Sequence, residues 1–283
     1  MDGKCETMSF RFAFSEKNMN KIQIFQVDAF TNQIFSGNPA AVCPIEEWLP
    51  DQVLLSIAAE NNLSETAFIN IKSSPFLIRW FTPQIEVELC GHATLASARV
   101  MFDEFLPNGT NQIIFDSKSG KLKATKIDNL IYLDFPRDTP KYVHPLEEIN
   151  EALGFAPTSI IRGKDDFLCI FNDEEIIKSM SPDFDKLSTI DSRGVIVSSL
   201  GTHTDFVSRY FAPQSGINED PVTGSAHTLL TPYWAEVLNK TLLTAYQCSK
   251  RGGFLYCELL KNRVLIGGSS ARYMDGELQL LHR

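Results

Sequence analysis

The chain has 283 residues, of which 43% are hydrophobic, and it carries a formal net charge of −9. Its longest basic cluster is Lys250-Arg251; because phosphate binding requires clustered Lys and Arg, we expect no nucleic-acid partner. No apolar run reaches the ~18 residues of a transmembrane helix, so we expect no membrane partner either. The length exceeds the roughly 100 to 200 residues of one domain and therefore predicts two domains.

The cysteines and histidines limit the cofactors that we expect the chain to bind. Its six cysteines are scattered without a CxxC pair, and its five histidines show no metal-ligand spacing. We therefore expect free thiols, no metal and a reducing compartment, which favours a cytoplasmic location.

Regular patterning begins after Met19. Residues 1–18 lack the apolar core and cleavage site of a secretory signal and are interpreted as an extension or an upstream start. Alternating apolar residues predict the strands of the first half, and helical spacing predicts two helices, the second so apolar that we expect it to be buried. The predicted strands are 21–29, 40–43, 66–71, 76–81, 112–115 and 121–125, and the predicted helices are 51–60 and 93–105.

Glu65 is a candidate acid–base residue. It lies between the end of the first helix and the strand 66–71, with Leu63, Ala67 and Phe68 as close apolar neighbours. Desolvation by such neighbours raises the pKa of a carboxyl group, as a general acid or base near neutral pH requires. The alternatives are a solvated loop glutamate or one that bonds a backbone turn.

The second half opens at residue 131, and 136–140 is the nearest approach to a linker. Pro232 lies within the last predicted helix and costs an internal hydrogen bond unless it falls in the first turns. The predicted strands are 131–135, 167–171, 194–198, 206–211, 254–259, 263–266 and 277–281, and the predicted helices are 145–153, 173–180 and 225–238.

One motif occurs twice. RWFTPQIEVELCGHATLAS at 79–97 is echoed by RYFAPQSGINEDPVTGSAHTLL at 209–230, which has three extra loop residues between the arginine and the glycine. Each copy predicts a strand, a polar loop and a helix that starts near Gly91 or Gly224. Two helix starts that face each other would hold one small anion on free backbone N–H groups. The alternative is that each glycine only lets a loop turn into a core helix.

Three polar residues in or near the second copy have open roles. Asp220 could cap N–H groups of its loop, or it could orient His92 or a substrate amine. Ser225 is predicted to be the N-cap of the last helix. Arg251, in the turn 251–253, is a candidate for reaching an anion.

These residues give the sequence a resemblance to the phenazine-biosynthesis-like PhzF family. The resemblance runs from about residue 19 to the C-terminus. It implies an α+β, diaminopimelate-epimerase-like fold of two pseudo-symmetric domains, each a rolled, mostly antiparallel sheet around a central helix. We expect these domains at 19–129, joined by the last strand, and at 130–283. The matching motifs are QVDAFT, FSGNPAAVC, NLSETAFI, RWFTP, LCGHATLAS, RYFAP, EDPVTGSAH and QCSKRGG.

The resemblance also implies an activity. It is that of an isomerase that moves a proton without cofactor or metal, with Glu65 as the transferring residue. It places further catalytic positions at His92, Asp220 and Ser225, in a cleft between the domains, and suggests a homodimer.

The resemblance further implies which residues contact the substrate. The amides of Gly91 and Gly224 would hold the carboxylate of a small cyclic amino or hydroxy acid. Related racemases use two facing cysteines, whose positions fall here on Cys90 and Thr223, so a two-thiol mechanism is not expected. The competing hypothesis is a non-catalytic binding or regulatory protein that retains the fold.

Overall fold

The computed structural model describes residues 19–144 and 146–281, so the predicted extension at 1–18 lies outside the described residues. All strands of this part of the chain join one hydrogen-bonded sheet network. In chain order the strands are β1 (Met19–Ala29), β2 (Asn38–Ile45), β3 (Glu65–Asn70), β4 (Phe76–Phe81), β5 (Glu86–Val87), β6 (Gln112–Ser117), β7 (Gly120–Ile127), β8 (Leu130–Pro136), β9 (Lys141–Val143), β10 (Ser159–Arg162), β11 (Asp166–Ile170), β12 (Gly194–Leu200), β13 (Phe206–Ala212), β14 (Ile217–Glu219), β15 (Leu242–Gln247), β16 (Gly253–Leu259), β17 (Arg263–Gly268) and β18 (Ser270–Leu281).

The helices are few and mostly short. A π-helical turn, Met101–Phe105, continues the second helix, and a 3-10 turn, Pro213–Ser215, follows β13. The α-helices are α1 (Asp51–Asn61), α2 (Gly91–Val100), α3 (Glu147–Leu153), α4 (Glu174–Ser179), α5 (Phe184–Ser188) and α6 (His227–Leu238).

Most predicted elements are observed, and the errors have simple causes. Six of these strands and α-helices are not predicted from the sequence. They are β5, β9, β10, β14 and α5, which are too short for a clear periodicity, and β15, which carries an exposed leucine, Leu242. The predicted helix 93–105 is α-helical only to Val100. The predicted helix at 225 begins instead at His227.

The same order of pairings occurs twice along the chain. First, β2 runs parallel to β3, β3 is antiparallel to β4, and β4 runs parallel to β6 after α2. Then β11 runs parallel to β12, β12 is antiparallel to β13, and β13 runs parallel to β15 after α6. The doubled motif therefore occupies equivalent positions in two equivalent units.

The two helices that follow the doubled motif are core helices. Every residue of α2 except Arg99 is buried, and its small residues let the surrounding strands approach closely. In α6, Pro232 removes the bond to the carbonyl of Thr228, and that carbonyl accepts instead from the backbone N–H of Asp138, at 3.2 Å. The residue that breaks the pattern of α6 is thus compensated by the segment after β8.

The chain ends pair with each other. Strand β18 is antiparallel to β1 from Met19 opposite Leu281 to Ala29 opposite Ser270. The last strand therefore lies beside the first. The division at 129/130 stays a prediction.

Each copy of the doubled motif contains an arginine–glutamate pair. Arg79 on β4 binds Glu86 through two bonds of 2.8 Å, and Arg209 on β13 binds Glu219 through bonds of 2.7 and 2.9 Å. Bidentate pairs of this kind fix orientation as well as distance. They tie the loop of each copy to the strand before it.

Among residues 19–144 and 146–281, no helix combines the length and the apolar character that crossing a membrane would require.

Candidate active site

The two glycines of the doubled motif lie against each other. A Cβ placed on Gly91 would lie 3.5 Å from the Cα of Gly224, and one placed on Gly224 would lie 3.7 Å from the Cα of Gly91. Neither α2 nor α6 has a side chain that caps its first turn. Gly91, the first residue of α2, thus lies against Gly224, which precedes the first residue of α6 by three positions. Unbonded backbone N–H groups before and within a first helical turn are potential ligands for an anion.

A cavity of about 650 Å³ opens beside this junction, within the usual size range for small-molecule sites. All eight residues selected from the sequence line it. They are Glu65, Cys90, Gly91, His92, Asp220, Thr223, Gly224 and Ser225. What each of them does there stays a prediction.

Glu65 begins β3 and has a buried carboxyl group. Its side chain is 14% exposed, which excludes the solvated loop glutamate considered above. Burial, together with the smaller effect of the negative charge of Asp220, raises the pKa of Glu65 to about 8. A carboxyl group with this pKa is present in both protonation states near neutral pH.

His92 lies in the first turn of α2 and is held neutral. Burial lowers the pKa of His92 to about 3. The amide nitrogen of Asn38 lies 3.1 Å from Nδ1 of His92. It also lies 2.8 Å from Oδ1 of Asp220 and 2.9 Å from the carbonyl oxygen of Val222, so its two N–H groups are shared among three acceptors. A neutral ring that accepts from Asn38 at Nδ1 carries its proton on Nε2. Nε2 lies 3.2 Å from Oε2 of Glu65, but the two atoms are not aligned for a hydrogen bond. The sequence does not single out Asn38, because it lies 54 residues from His92 in the chain.

Asp220 is connected to His92 through the same asparagine. Its Oδ1 accepts from the Asn38 amide at 2.8 Å, and its Oδ2 accepts from the hydroxyl of Thr223 at 2.5 Å. Neither expected role is therefore seen directly: in the described residues the carboxylate binds two side chains and no backbone N–H group. Burial raises the pKa of Asp220 to about 6.

Cys90 and Thr223 occupy corresponding places before the two glycines. Burial holds the pKa of the Cys90 thiol well above its usual range, and the charge of Glu65 adds to this effect. The hydroxyl of Thr223 is engaged with Asp220. A pair of cysteines is not present at these positions, and the one thiol is poorly disposed to become a base.

Ser225 is not the N-cap that the sequence predicts. Helix α6 starts two residues later, with Ala226 at the cap position, and the hydroxyl of Ser225 accepts from Arg193 at 3.2 Å. Arg193 itself lines the cavity, and no sequence motif marks it.

Arg251 also differs from expectation. It lies outside the residues that line this cavity and reaches an anion of the chain itself, the buried Asp28, at 2.9 Å. Its other bonds go to the carbonyls of Gly37 and Ser36. Arg251 thus secures the turn that precedes Asn38.

Glu65, Cys90 and His92 also form a set that could hold a metal ion, with one ligand atom from each lying within 4.8 Å of the others. Sulfur, nitrogen and carboxylate oxygen are ligands that zinc accepts. Sequence spacing does not indicate this set, because Glu65 is distant from the other two. Binding would require Glu65 and Cys90 to lose protons that burial makes them retain.

Comparison with known proteins identifies the family. The family model described as phenazine biosynthesis-like protein, PhzC-PhzF, matches residues 27–276. The chain belongs to this family. An uncharacterized isomerase of Pseudomonas aeruginosa is 46% identical over 260 residues, covering 92% of this chain and 99% of that protein. This family membership makes the chain an isomerase-type enzyme.

Solved structures show the same fold. A PhzF-family protein of Enterococcus faecalis has a TM-score of 0.89 at 46% identity, over 92% of this chain and all of that one. A hydroxyproline epimerase of Agrobacterium vitis, at 10% identity, has a TM-score of 0.57 over 94% of this chain and 93% of its own, which indicates a shared fold alone. The predicted α+β, epimerase-like fold is confirmed.

Proposed function

We propose that this PhzF-family chain is a cofactor-independent isomerase that moves a proton within a small, carboxylate-bearing cyclic amino or hydroxy acid. The observation that carries the proposal is the buried carboxyl group of Glu65, which has a pKa of about 8. This group lies beside a cavity large enough for such a molecule. General acid–base catalysis is most effective when the pKa of the group lies near the working pH.

The proton transfer would use Glu65 twice. In its ionised form the carboxylate removes a proton from one carbon of the substrate. The resulting protonated carboxyl then returns the proton to another carbon, and a double bond shifts between the two positions. Substrate and product have the same composition, so no oxidant, reductant or co-reactant is consumed.

The carboxylate of the substrate would bind where Gly91 and Gly224 meet. Backbone N–H groups at helix starts favour an anion, and the absence of a Cβ on both residues leaves room for close approach. This contact would place the carbons next to the carboxylate within reach of Glu65.

His92 and Asp220 would support the charge that develops during the transfer. The Nε2–H of neutral His92 points at the same region as Glu65 and can donate to an oxygen of the substrate. Asp220, ionised above a pKa of about 6, keeps the proton affinity of Glu65 high. Ser225 would donate to the substrate carboxylate beside Gly224.

Solvent exchange tests this proposal. Candidate cyclic acids are incubated with the protein in deuterated water, and deuterium incorporation at carbon is followed by NMR. We expect exchange with the wild type and its loss in Glu65→Gln, with ligand binding retained. The matched control is Glu88→Gln, which removes an exposed carboxylate from the same cavity and should leave exchange unchanged. Full exchange in Glu65→Gln contradicts the proposal and favours the binding-protein hypothesis.

The remaining expectations belong to the same proposal. Activity should survive chelation by EDTA, since the proposed reaction uses no metal. The cysteines of the described residues are free thiols, which supports a reducing, cytoplasmic location. A homodimer is proposed from the family resemblance and is testable by light scattering.

A further inference from the structure

Arg193 lines the cavity but has no part in the proposed function. It lies in the loop before β12, and its side chain reaches the cavity wall next to Ser225. Ser225 directly follows Gly224, so the guanidinium stands beside the proposed carboxylate site and on the side of the second structural unit.

The guanidinium is held in a fixed orientation from behind. Its Nε donates to Asp166 Oδ1 at 3.0 Å, and one terminal nitrogen donates to Asp166 Oδ2. Asp166 is 5% exposed and also accepts from the hydroxyl of Tyr210, at 3.1 Å. Burying a carboxylate is costly unless it is paired and hydrogen-bonded. Here the buried carboxylate of Asp166 holds the guanidinium of Arg193 at the cavity wall.

Part of this arginine remains unused. Its other terminal nitrogen donates one bond, to Ser225. A guanidinium carries one N–H more on each terminal nitrogen, and within the described residues these two N–H groups have no acceptor. Asp166 offsets much of the positive charge of Arg193. The two N–H groups would therefore attract a ligand mainly through hydrogen bonds of fixed direction.

Lys164 lies on the same wall. Its loop is tied to Arg193, whose backbone N–H donates to the carbonyl of Asp165 at 2.8 Å. The side chain of Lys164 is exposed, lines the cavity and has no hydrogen bond or ion pair among the described residues. The exposed carboxylate of the neighbouring Asp165 also lines the cavity and opposes this charge.

Part of the remaining cavity lining is apolar. Ile85, Val87 and Leu89, from the loop of the first copy of the motif, supply apolar lining there, with Glu88 among them. A ligand that fills the cavity would therefore meet both apolar side chains and fixed N–H donors.

We propose that Arg193, assisted by Lys164, binds a second carboxylate of the substrate, so that the substrate of this enzyme is a cyclic dicarboxylate. This inference rests on the proposed function, since it takes the first carboxylate to lie between Gly91 and Gly224. The ring would then span the two sites, with its apolar face toward Ile85 and Val87.

Calorimetric titration of the full chain with benzoate and the three benzenedicarboxylate isomers tests the assignment. We expect at least one isomer to bind roughly tenfold or more tightly than benzoate, since hydrogen bonds between charged groups are stronger than those between neutral ones. Arg193→Gln combined with Asp166→Asn, which avoids leaving a buried carboxylate unpaired, should reduce that isomer to the affinity of benzoate and leave benzoate itself unchanged.

Two further variants show whether a loss of binding is specific to the second site or is caused by misfolding. Lys164→Gln changes an exposed side chain and should weaken the preferred isomer by roughly threefold without affecting benzoate. Arg137→Gln, which removes the same charge as the Arg193 change from a separate cavity, should have no effect on either ligand.

Each outcome distinguishes the second site from the first. Dicarboxylates that bind no better than benzoate, or whose advantage survives the Arg193 variant, overturn the second site and leave the glycine site standing. An equal loss of benzoate and dicarboxylate in the Arg193 variant means that Arg193 holds the first carboxylate, and this also overturns the inference. Dicarboxylate binding that needs Arg193 without any benzoate binding supports the second site and contradicts the glycine site. Absence of all binding contradicts both.

Discussion

Oε2 of Glu65 lies 3.2 Å from Nε2 of His92, and the two side chains are nevertheless both neutral near pH 7. Burial raises the pKa of Glu65 to about 8 and lowers that of His92 to about 3, so the pair holds its proton on the carboxyl. Neither atom has a hydrogen-bond partner within the described ranges 19–144 and 146–281. Two buried polar atoms beside the cavity are therefore left without a partner in this part of the chain.

Glu65→Gln should make the protein more stable while removing its activity. The raised pKa means that the folded state holds a proton which the unfolded chain releases above pH 4.5, so stability falls as the pH rises from 4.5 to about 8. At pH 7 this loss amounts to roughly 3 kcal/mol, which the neutral glutamine does not incur. Urea unfolding of the wild type and of Glu65→Gln at pH 5 and pH 8 measures the difference in their free energies of unfolding. We expect a larger gain at pH 8, and an equal gain at both pH values would contradict a perturbed Glu65.

The pH dependence of kcat/KM should follow Glu65. The carboxylate form removes the first proton, so the rate should rise with pH and level off above an inflection near 8. Deuterium exchange measured from pH 6 to 9 gives the profile. Glu88→Gln should keep the same inflection, because Glu88 is exposed. A rate that falls through pH 8 would mean that the protonated carboxyl limits the reaction.

Asn38→Asp should disturb His92, and it should also lower stability because it buries a carboxylate beside Asp220 and removes the bond to the carbonyl of Val222. An aspartate cannot donate to Nδ1 of His92, and it adds a negative charge 2.8 Å from Oδ1 of Asp220. Loss of an orienting partner of this kind typically costs about 10- to 100-fold. Nitrogen NMR of the histidine ring should show the Nε2–H tautomer in the wild type and a changed population in the variant. Asn108→Asp, on an exposed loop, makes the same charge change and should alter neither the spectrum nor the rate. A variant with wild-type kcat would remove Asn38 from the mechanism.

Alanine at Gly91 should affect mainly substrate binding, whereas alanine at Gly37 should affect mainly stability. A Cβ on Gly91 meets its neighbours at 3.5 Å or more, so Gly91→Ala should change the free energy of unfolding by less than about 1 kcal/mol. The methyl group occupies the space between the helix starts and should raise KM roughly tenfold. Gly37 has a φ of +64°, and its Cβ would lie 2.1 Å from the carbonyl oxygen of Ala29, so Gly37→Ala should destabilise by roughly 1 to 3 kcal/mol. An unchanged KM in Gly91→Ala would place the carboxylate elsewhere.

Arg209→Lys should loosen the loop before α6. A lysine cannot form the bidentate bonds to Glu219, and it also loses the bonds that Arg209 gives to the carbonyls of Ile177 and Met180, so we expect a loss of about 1 to 3 kcal/mol. Because Gln214 and Ile217 of this loop line the cavity, KM should rise more than kcat falls. Lys186→Arg, whose partner Glu151 is exposed, is the control and should change neither quantity. Equal losses in kcat and KM with unchanged unfolding would argue against a positioning role.

The fold could be predicted well because its signals are local or repeated. Alternation and helical spacing give strands such as β4 and helices such as α1, and the doubled motif gives the two equivalent units. Glu65 could be selected because its apolar neighbours are adjacent in the chain, and burial is what raises its pKa.

The rest of the site depends on contacts between distant parts of the chain. Asn38 meets Asp220 across 182 residues, and Arg193 meets Ser225 across 32, so no local pattern reveals either contact. Ser225 was assigned to the helix cap because its residue type suits that position, whereas the backbone begins the helix two residues later. Side chains placed by tertiary packing are those that the sequence could not specify.

The arginine–glutamate pairs have a consequence for how the cavity can be altered. Seven residues separate Arg79 from Glu86 and ten separate Arg209 from Glu219, so the three-residue difference between the copies falls inside the paired segment. The glycine junction that follows is in register in both units despite this difference. Loop length is thereby uncoupled from the position of the helix starts. The segments between the paired arginine and glutamate residues can therefore differ in length while the glycine junction keeps its place, which makes these two segments the natural points for redesigning substrate selectivity.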